Sequence, residues 1–295
     1  MKQATVFASL LLFVIVVIRT LLFFEYPETA TAVATDAALE IVFLDIGQGD
    51  ATFITFPDGT QMLVDCAVDA RILEALGRVM PFYDKTIDYV LITHPDKDHY
   101  GGCIDVFDRF DVGDIIYTGK EKENVFYHAF LDAVHEEDEE YTKIEREREW
   151  KFGSASALFL YPDHDVVGGE ESSNDTSIVL KISYAGTAVL LTGDAEVPLE
   201  KKLIEEYGNE LDVDILKVGH HGASTASSEE FLNVVTPKYA IISAGVDNSY
   251  GHPTARTLKK LERVGASIWR TDLQGDILLT IGSNSEPVLY ANQTD

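Results

Sequence analysis

The chain has 295 residues, 46% of them apolar, which is enough for one large domain or two small ones and too much for a disordered tail or a disulfide-stapled miniprotein. Its 23 basic residues against 50 acidic ones leave a formal charge of −27, which argues against a protein that holds nucleic acid on a broad basic face. Such acidity speaks first to solubility and habitat, so an anionic substrate needs local help.

The amino end differs from the rest. From Ala4 to Ile18, fifteen residues carry no charge; Arg19 and a second apolar run, Leu21-Leu22-Phe23-Phe24, follow. Ala4 to Phe24 makes 21 residues, long enough to span hydrocarbon with Arg19 near an interface. The same run reads equally as the apolar part of a cleaved signal peptide, with Ala30-Thr31-Ala32 or Ala32-Val33-Ala34 as the small-residue cleavage site. On either reading residues 1–35 are a signal or membrane anchor with a linker, and residues 36–295 form one exported domain, surface-anchored or secreted. Removing residues 1–33 takes away Lys2, Arg19, Glu25 and Glu28, so the exported part keeps the full acidic excess. Cys66 and Cys103 allow one disulfide in such a compartment, or two buried thiols.

Past the linker, the short β-rich runs Leu39–Asp45, Ala51–Phe56 and Gln61–Val64 are split by Gly47-Gln48-Gly49 and Pro57-Asp58-Gly59, and read as a meander. An amphipathic helix follows around Ala70–Met80, then a buried-type strand Ile87–Thr93 and a helix from about His99. The acid-rich stretch Glu121–Trp150 reads as a solvated helix face, with His128 and His135 at the surface. In the second half, Ile178–Ser183 and Ala188–Thr192 form a hairpin across Tyr184-Ala185-Gly186, followed by a helix over Val197–Tyr207. Strand Val213–Val218, helix Ser228–Val235, strand Tyr239–Ser243, helix Thr254–Val264 and strand Asp276–Ile281 complete the order. A meander followed by strand–helix units, occurring twice, fits two mixed sheets packed face to face with helices outside.

Directly after the apolar run Tyr89–Thr93 stands His94-Pro95-Asp96-Lys97-Asp98-His99, four potential ligands within six positions. A strand end opening into a turn can aim positions i, i+2, i+4 and i+5 into one space, and imidazole with carboxylate suits zinc, manganese or iron. Helix capping by Asp98 would explain one of the four. Three further groups also lie at strand ends or helix starts: Thr192-Gly193-Asp194, Lys217-Val218-Gly219-His220-His221-Gly222 and Asn248-Ser249-Tyr250-Gly251-His252-Pro253. Ligand-type side chains at successive strand ends make a catalytic edge.

The order His-x-Asp-x-Asp-His, Thr-Gly-Asp, Lys-Val-Gly-His-His-Gly resembles the metallo-β-lactamase superfamily. More narrowly, Leu44 to Ala51, Leu63-Val64-Asp65 and Tyr250-Gly251-His252-Pro253 resemble the hydrolase domain of the ComEC DNA-uptake family, over residues 39 to about 285. That family's multi-span channel has no counterpart in the sequence, so a stand-alone, exported version of the domain is expected. The resemblance implies an α+β fold, a four-layer αββα sandwich, with one or two ions at its edge. It implies that His94 and Asp96 serve a first metal, Asp98 and His99 a second, and Asp194 both, with His220 or His221 completing the second. Asp96 stands where the wider superfamily usually has histidine. The first metal lacks an obvious third ligand, for which Asn174, Asp175 and His164 are candidates. Oxygen-rich ligation shifts preference from Zn2+ toward Mn2+.

The implied activity is that of an exported metal-dependent phosphodiesterase or nuclease using metal-activated hydroxide, which Asp98 orients. Lys217, His252, Asn248 and Tyr250 are the candidates for substrate contact. Single-stranded DNA would be gripped weakly, the membrane met only through an uncleaved amino-terminal segment, and no stable protein partner is expected. The alternatives are hydrolysis of a small ester (lactone, β-lactam or phosphorylcholine ester) and a non-catalytic binding module with a degraded metal site.

Overall fold

The computed structural model describes residues 37–137, 141–246, 248–284 and 286–292, so the signal or anchor reading of the amino end lies outside the described residues. The first half runs β1 (Leu39–Phe43), β2 (Thr52–Thr55), β3 (Gln61–Val64), α1 (Arg71–Val79), β4 (Thr86–Leu91), α2 (Lys97–Tyr100), α3 (Cys103–Phe107), β5 (Asp111–Tyr117), α4 (Val125–Glu137) and β6 (Thr142–Lys143). The second half runs β7 (Arg148–Phe152), β8 (Ala155–Tyr161), β9 (Val179–Tyr184), β10 (Thr187–Leu191), α5 (Val197–Tyr207), β11 (Ile215–Lys217), α6 (Glu229–Val235), β12 (Tyr239–Ile242), α7 (Ala255–Arg263), β13 (Ser267–Arg270) and α8 (Thr271–Gln274). Strands β14 (Asp276–Ile281) and β15 (Val288–Asn292) then return to the first sheet.

Side-chain alternation, period two along a strand, sorts residues between three cores. In β1, Leu39, Ile41 and Phe43 enter a central core while Val42 packs against the helices of the first half. In β11, Ile215 enters the same central core while Leu216 packs with the helices of the second half. The central core therefore lies between an eight-stranded sheet, β15-β14-β1-β2-β3-β4-β5-β6, and a seven-stranded one, β13-β12-β11-β10-β9-β8-β7. Ile72, Leu76, Val106 and Phe130 cover the outer face of the first sheet, and Leu199, Leu203, Phe231 and Leu261 that of the second. Four layers, αββα, result, as the sequence leads one to expect.

Register decides where the site lies. Strands β3, β4 and β5 are parallel, with Val64 level with Leu91 and Leu91 with Ile116; β10, β11 and β12 are parallel, with Leu191 level with Lys217 and Lys217 with Ile241. Loops leaving these strands at their carboxyl ends emerge at one level of each sheet, and they carry Asp65, His94, Asp194, His221 and Ser243.

Several expectations need correction. The helix anticipated from His99 begins at Lys97, stops after Tyr100 and resumes at Cys103, so Asp98 lies inside the first turn and does not cap it. The acid-rich stretch is helical only over Val125–Glu137 and then turns into β6 and β7. Cys66 and Cys103 form a disulfide, Cα atoms 5.1 Å apart, which ties the loop after β3 to the start of α3. Among the described residues, no helix is long and apolar enough to cross a membrane.

Candidate metal centre

Asp65, just past β3, accepts the Thr93 N–H and hydroxyl, each at 2.8 Å, and stands 2.7 Å from Nδ1 of His99. A carboxylate can only accept, so His99 carries a proton on Nδ1 and turns Nε2 the other way. The Thr93 hydroxyl, whose hydrogen is given to Asp65, must accept from His94 Nδ1 at 3.0 Å, and His94 likewise turns Nε2 inward. His221 Nδ1 donates to the Ser243 carbonyl at 3.2 Å. Three imidazoles thus share one tautomer, fixed by partners behind them, as metal-binding histidines require.

What they face is Asp194, delivered by the Gly193 turn after β10. Its Oδ2 lies 3.4 Å from His99 Nε2, 3.7 Å from His221 Nε2, 3.9 Å from His220 Nε2 and 4.0 Å from His94 Nε2. Asp98 Oδ2 is 3.5 Å from His221 Nε2 and accepts from the Gln48 amide at 3.3 Å. Gly49 permits this approach: a Cβ there would stand 2.1 Å from the Asp98 carbonyl oxygen, and its φ of +105° suits glycine. His220 and His221 both have left-handed backbones, φ 49° and 52°, which cost about 1–3 kcal/mol each and are kept where the surroundings impose them.

The charges are strongly coupled. Burial opposes ionisation of Asp194, but His221, His99 and His94 outweigh it and hold its carboxyl far below the usual range. The same holds for Asp98, where burial is overcome by the neighbouring His221 imidazole and the charge on His99. Burial and the neighbouring His99 push His94 down to about 4. Despite burial, Asp194 and Asp65 raise His99 well above its ordinary value, and Asp194 and Asp50 lift His221 to about 10.

The buried Nε2 atoms of His94, His99 and His221 and Oδ1 of Asp194 have no hydrogen-bond partner. Ligand atoms of Asp98, His99 and His221 lie within 4.8 Å of one another, as do those of His94, His99 and Asp194. Unpartnered nitrogen and oxygen donors converging on a point fit a divalent ion. The fit is fullest around Asp98, His99, His221 and Asp194, and of the two adjacent histidines it is His221 that lies beside Asp98. The His94–Asp96 side is less complete: Asp96 Oδ1 is 3.8 Å from His94 Nε2 but is also held by Lys122 and the Ser173 hydroxyl.

The remaining sequence candidates fall elsewhere. The Asn174 amide nitrogen turns to His220 and Glu196, at 3.3 and 3.5 Å, and Asp175 accepts from Ser172 and the Glu196 N–H. His164 uses both ring nitrogens on Asp163 and Glu171, so it supplies no third ligand to the His94 side. Lys217 is corrected outright. Its ammonium is buried on Asp50 at 2.6 Å, away from the exposed surface where substrate contact is expected of it. Asn248 spends its side chain on the Gly245 carbonyl and on both backbone groups of His252, so it shapes the rim loop and offers no free amide. On that rim, the His252 ring stands 5.7 Å from the His220 ring, with exposed Tyr250 stacked on it. Asp50 and Gln48 were not singled out as site residues from the sequence; only their place in the Gly47-Gln48-Gly49-Asp50 turn pointed to them.

The sequence model of the metallo-beta-lactamase superfamily matches residues 44–246, a span that contains the whole Asp194-centred cluster. The chain belongs to the metallo-beta-lactamase superfamily. Within the superfamily it is 32% identical to competence protein ComA of Neisseria gonorrhoeae, over 67% of this chain and 26% of that protein. It is 29% identical to ComE operon protein 3 of Bacillus subtilis, over 81% of this chain and 32% of that protein. The chain thus spans about a third or less of these relatives. Among solved structures, the fold matches the metallo-beta-lactamase fold protein YhfI of Bacillus subtilis, with a TM-score of 0.56 and 13% identity, over 82% of this chain and 99% of that one. It also matches CmlA, a diiron beta-hydroxylase of Streptomyces venezuelae, with a TM-score of 0.53 and 17% identity, over 84% and 54%. At such identities these likenesses concern the fold.

Proposed function

We propose that this superfamily member is an exported, divalent-metal-dependent phosphodiesterase that cleaves single-stranded DNA. The convergence of unpartnered Nε2 and Oδ1 atoms on one point beside Asp98 carries the reading. Asp98, His99, His221 and Asp194 would hold Mn2+ or Zn2+, and His94 with Asp96 a second ion bound more weakly, since Lys122 and Ser173 must first give up Asp96. A divalent ion there supplies a Lewis acid for the phosphoryl oxygen and acidifies water. Asp98 stays ionised, so it accepts a hydrogen bond from the attacking water and orients it. Its side chain is 27% exposed, whereas that of Asp194 is 4% exposed, so Asp98 is the carboxylate nearer the open face. His252, kept neutral at pH 7 by burial and by His220 and His221, meets the substrate as a hydrogen-bonding group and not as a cation.

One relative is named a competence protein, which together with the resemblance to the DNA-uptake family favours DNA over other phosphodiesters. The Cys66–Cys103 disulfide supports an oxidising, extracellular location, in line with the apolar amino-terminal run. The charge of −27 favours a second reading, hydrolysis of a small ester that a polyanion-repelling surface admits.

The purified full-length chain loaded with Mn2+ should cleave bis-p-nitrophenyl phosphate and single-stranded DNA, and Asp194→Asn should do neither. Lactone, β-lactam and phosphorylcholine ester substrates are assayed beside them. Turnover of an ester without phosphodiester cleavage selects the second reading. An ion-loaded wild type inert on every substrate means a binding module.

A further inference from the structure

In β11 the alternation that sends Ile215 into the central core puts Lys217 on the same side, between the two sheets. Its Nζ meets Asp50 Oδ2 at 2.6 Å and the Val218 carbonyl at 3.3 Å, and the two side chains are 3% and 5% exposed. The desolvation of such a buried pair roughly offsets its attraction, so stability alone is a poor account of it. The other Asp50 oxygen is 3.4 Å from His221 Nδ1, and the Asp50 N–H donates to the Asp98 carbonyl at 3.1 Å. Asp50 therefore touches the ring of one candidate ligand and the backbone of another.

We infer that Lys217 is a positioning residue: by fixing the Asp50 carboxylate it keeps His221 Nδ1 turned to Asp50 and Ser243, and Nε2 aimed at Asp98 and Asp194. Lys217 touches neither ion nor substrate. It connects the second sheet to the loop after β1 in the first, so the aim of His221 depends on both sheets keeping their spacing. The inference rests on the proposed occupancy of the cluster by a divalent ion.

The test is a calorimetric Mn2+ titration of the full-length chain, with thermal melting of each variant. Lys217→Met leaves Asp50 buried without its lysine partner, so the deciding variant is Lys217→Met with Asp50→Asn, which removes both charges of the pair together. Second-layer partners of metal ligands are worth about 10- to 100-fold in affinity, and a loss of that size is expected in the double variant at a melting temperature close to the wild type. Lys217→Arg, which keeps the charge, should recover part of it. A folded double variant that binds Mn2+ as tightly as the wild type overturns the inference. Should the double variant not fold, 15N-histidine spectra of the Zn2+-loaded wild type decide: coordination of His221 through Nε2 supports the assignment, and coordination through Nδ1 overturns it. A wild type that takes up no ion fails the occupancy reading instead, a different result from variants that bind equally well.

Discussion

His99 and His221 are raised above the ordinary histidine value in the metal-free fold, His221 to about 10, by the carboxylates of Asp194, Asp65 and Asp50. A group raised on folding stabilises the native state fully below its unfolded value of about 6.5, and that contribution is lost as pH climbs through the folded value. Chelator-treated protein should therefore lose melting temperature between pH 6.5 and 10, and His221→Gln should lose less of it. The same protons must leave before Nε2 can bind an ion, so Mn2+ affinity should rise over that window, with proton release visible when titrations are repeated in buffers of different ionisation enthalpy. Equal pH slopes for wild type and His221→Gln, or uptake without proton release, contradict this account of the cluster. His94 behaves oppositely: burial and the charge of His99 press it down to about 4, so it is a neutral candidate ligand throughout that window.

The elements that bring these residues together are short, and the Cys66–Cys103 bridge is what ties two of them. It spans 37 positions, and the Cys66 N–H also donates to the His99 carbonyl at 2.6 Å, so the link holds the backbone of a ligand as well as the fold. In the loop-entropy picture, cutting a loop of that length costs about 4 kcal/mol. Reduction, or Cys66→Ala with Cys103→Ala, should lower the unfolding free energy by that order, seen as a fall in the denaturation midpoint, and weaken Mn2+ uptake. An unchanged midpoint contradicts it. The strand ends bearing His94, Asp194 and His221 were legible in the sequence because each ligand group follows an apolar run, and that contrast is local. The tautomers and pairings were not. Lys217 meets Asp50 across 167 positions, and nothing near Lys217 distinguishes a lysine aimed at a buried carboxylate from one aimed at a phosphate. Strands β7 and β13 were missed for a similar reason: Arg148–Phe152 and Ser267–Arg270 are edge strands of mixed polarity whose place is set by β8 and β12. The helix–strand–strand course of the acid-rich stretch was hidden by charge, which marks solvent exposure and not secondary structure.

At the scale of the whole molecule, a candidate metal centre stands in a chain of formal charge −27, and the two have opposite effects on a DNA substrate. At the mouth, the cations beside the ligand motif are engaged: Lys122 on Asp96, and Lys97 over the Phe126 ring at 4.0 Å. Lys217 is buried. A long polyanion should thus be repelled at range and held only by contacts at the cluster itself. Repulsion between exposed charges is screened beyond a Debye length, about 10 Å at 0.1 M salt and about 3 Å at 1 M. A nuclease with a basic groove loses affinity steeply with salt as counterions are released. Here the sign should invert: kcat/KM on long single-stranded DNA should rise as KCl is increased from low to near-molar concentration, because screening removes repulsion and few phosphate contacts are lost. Bis-p-nitrophenyl phosphate carries one charge and should respond weakly over the same range, which separates the surface effect from any influence of salt on ion occupancy. A steep fall of kcat/KM on DNA with KCl, beside a flat response on the small substrate, would mean that DNA meets a cationic track on this acidic protein, and the picture of a grip confined to the cluster would be wrong.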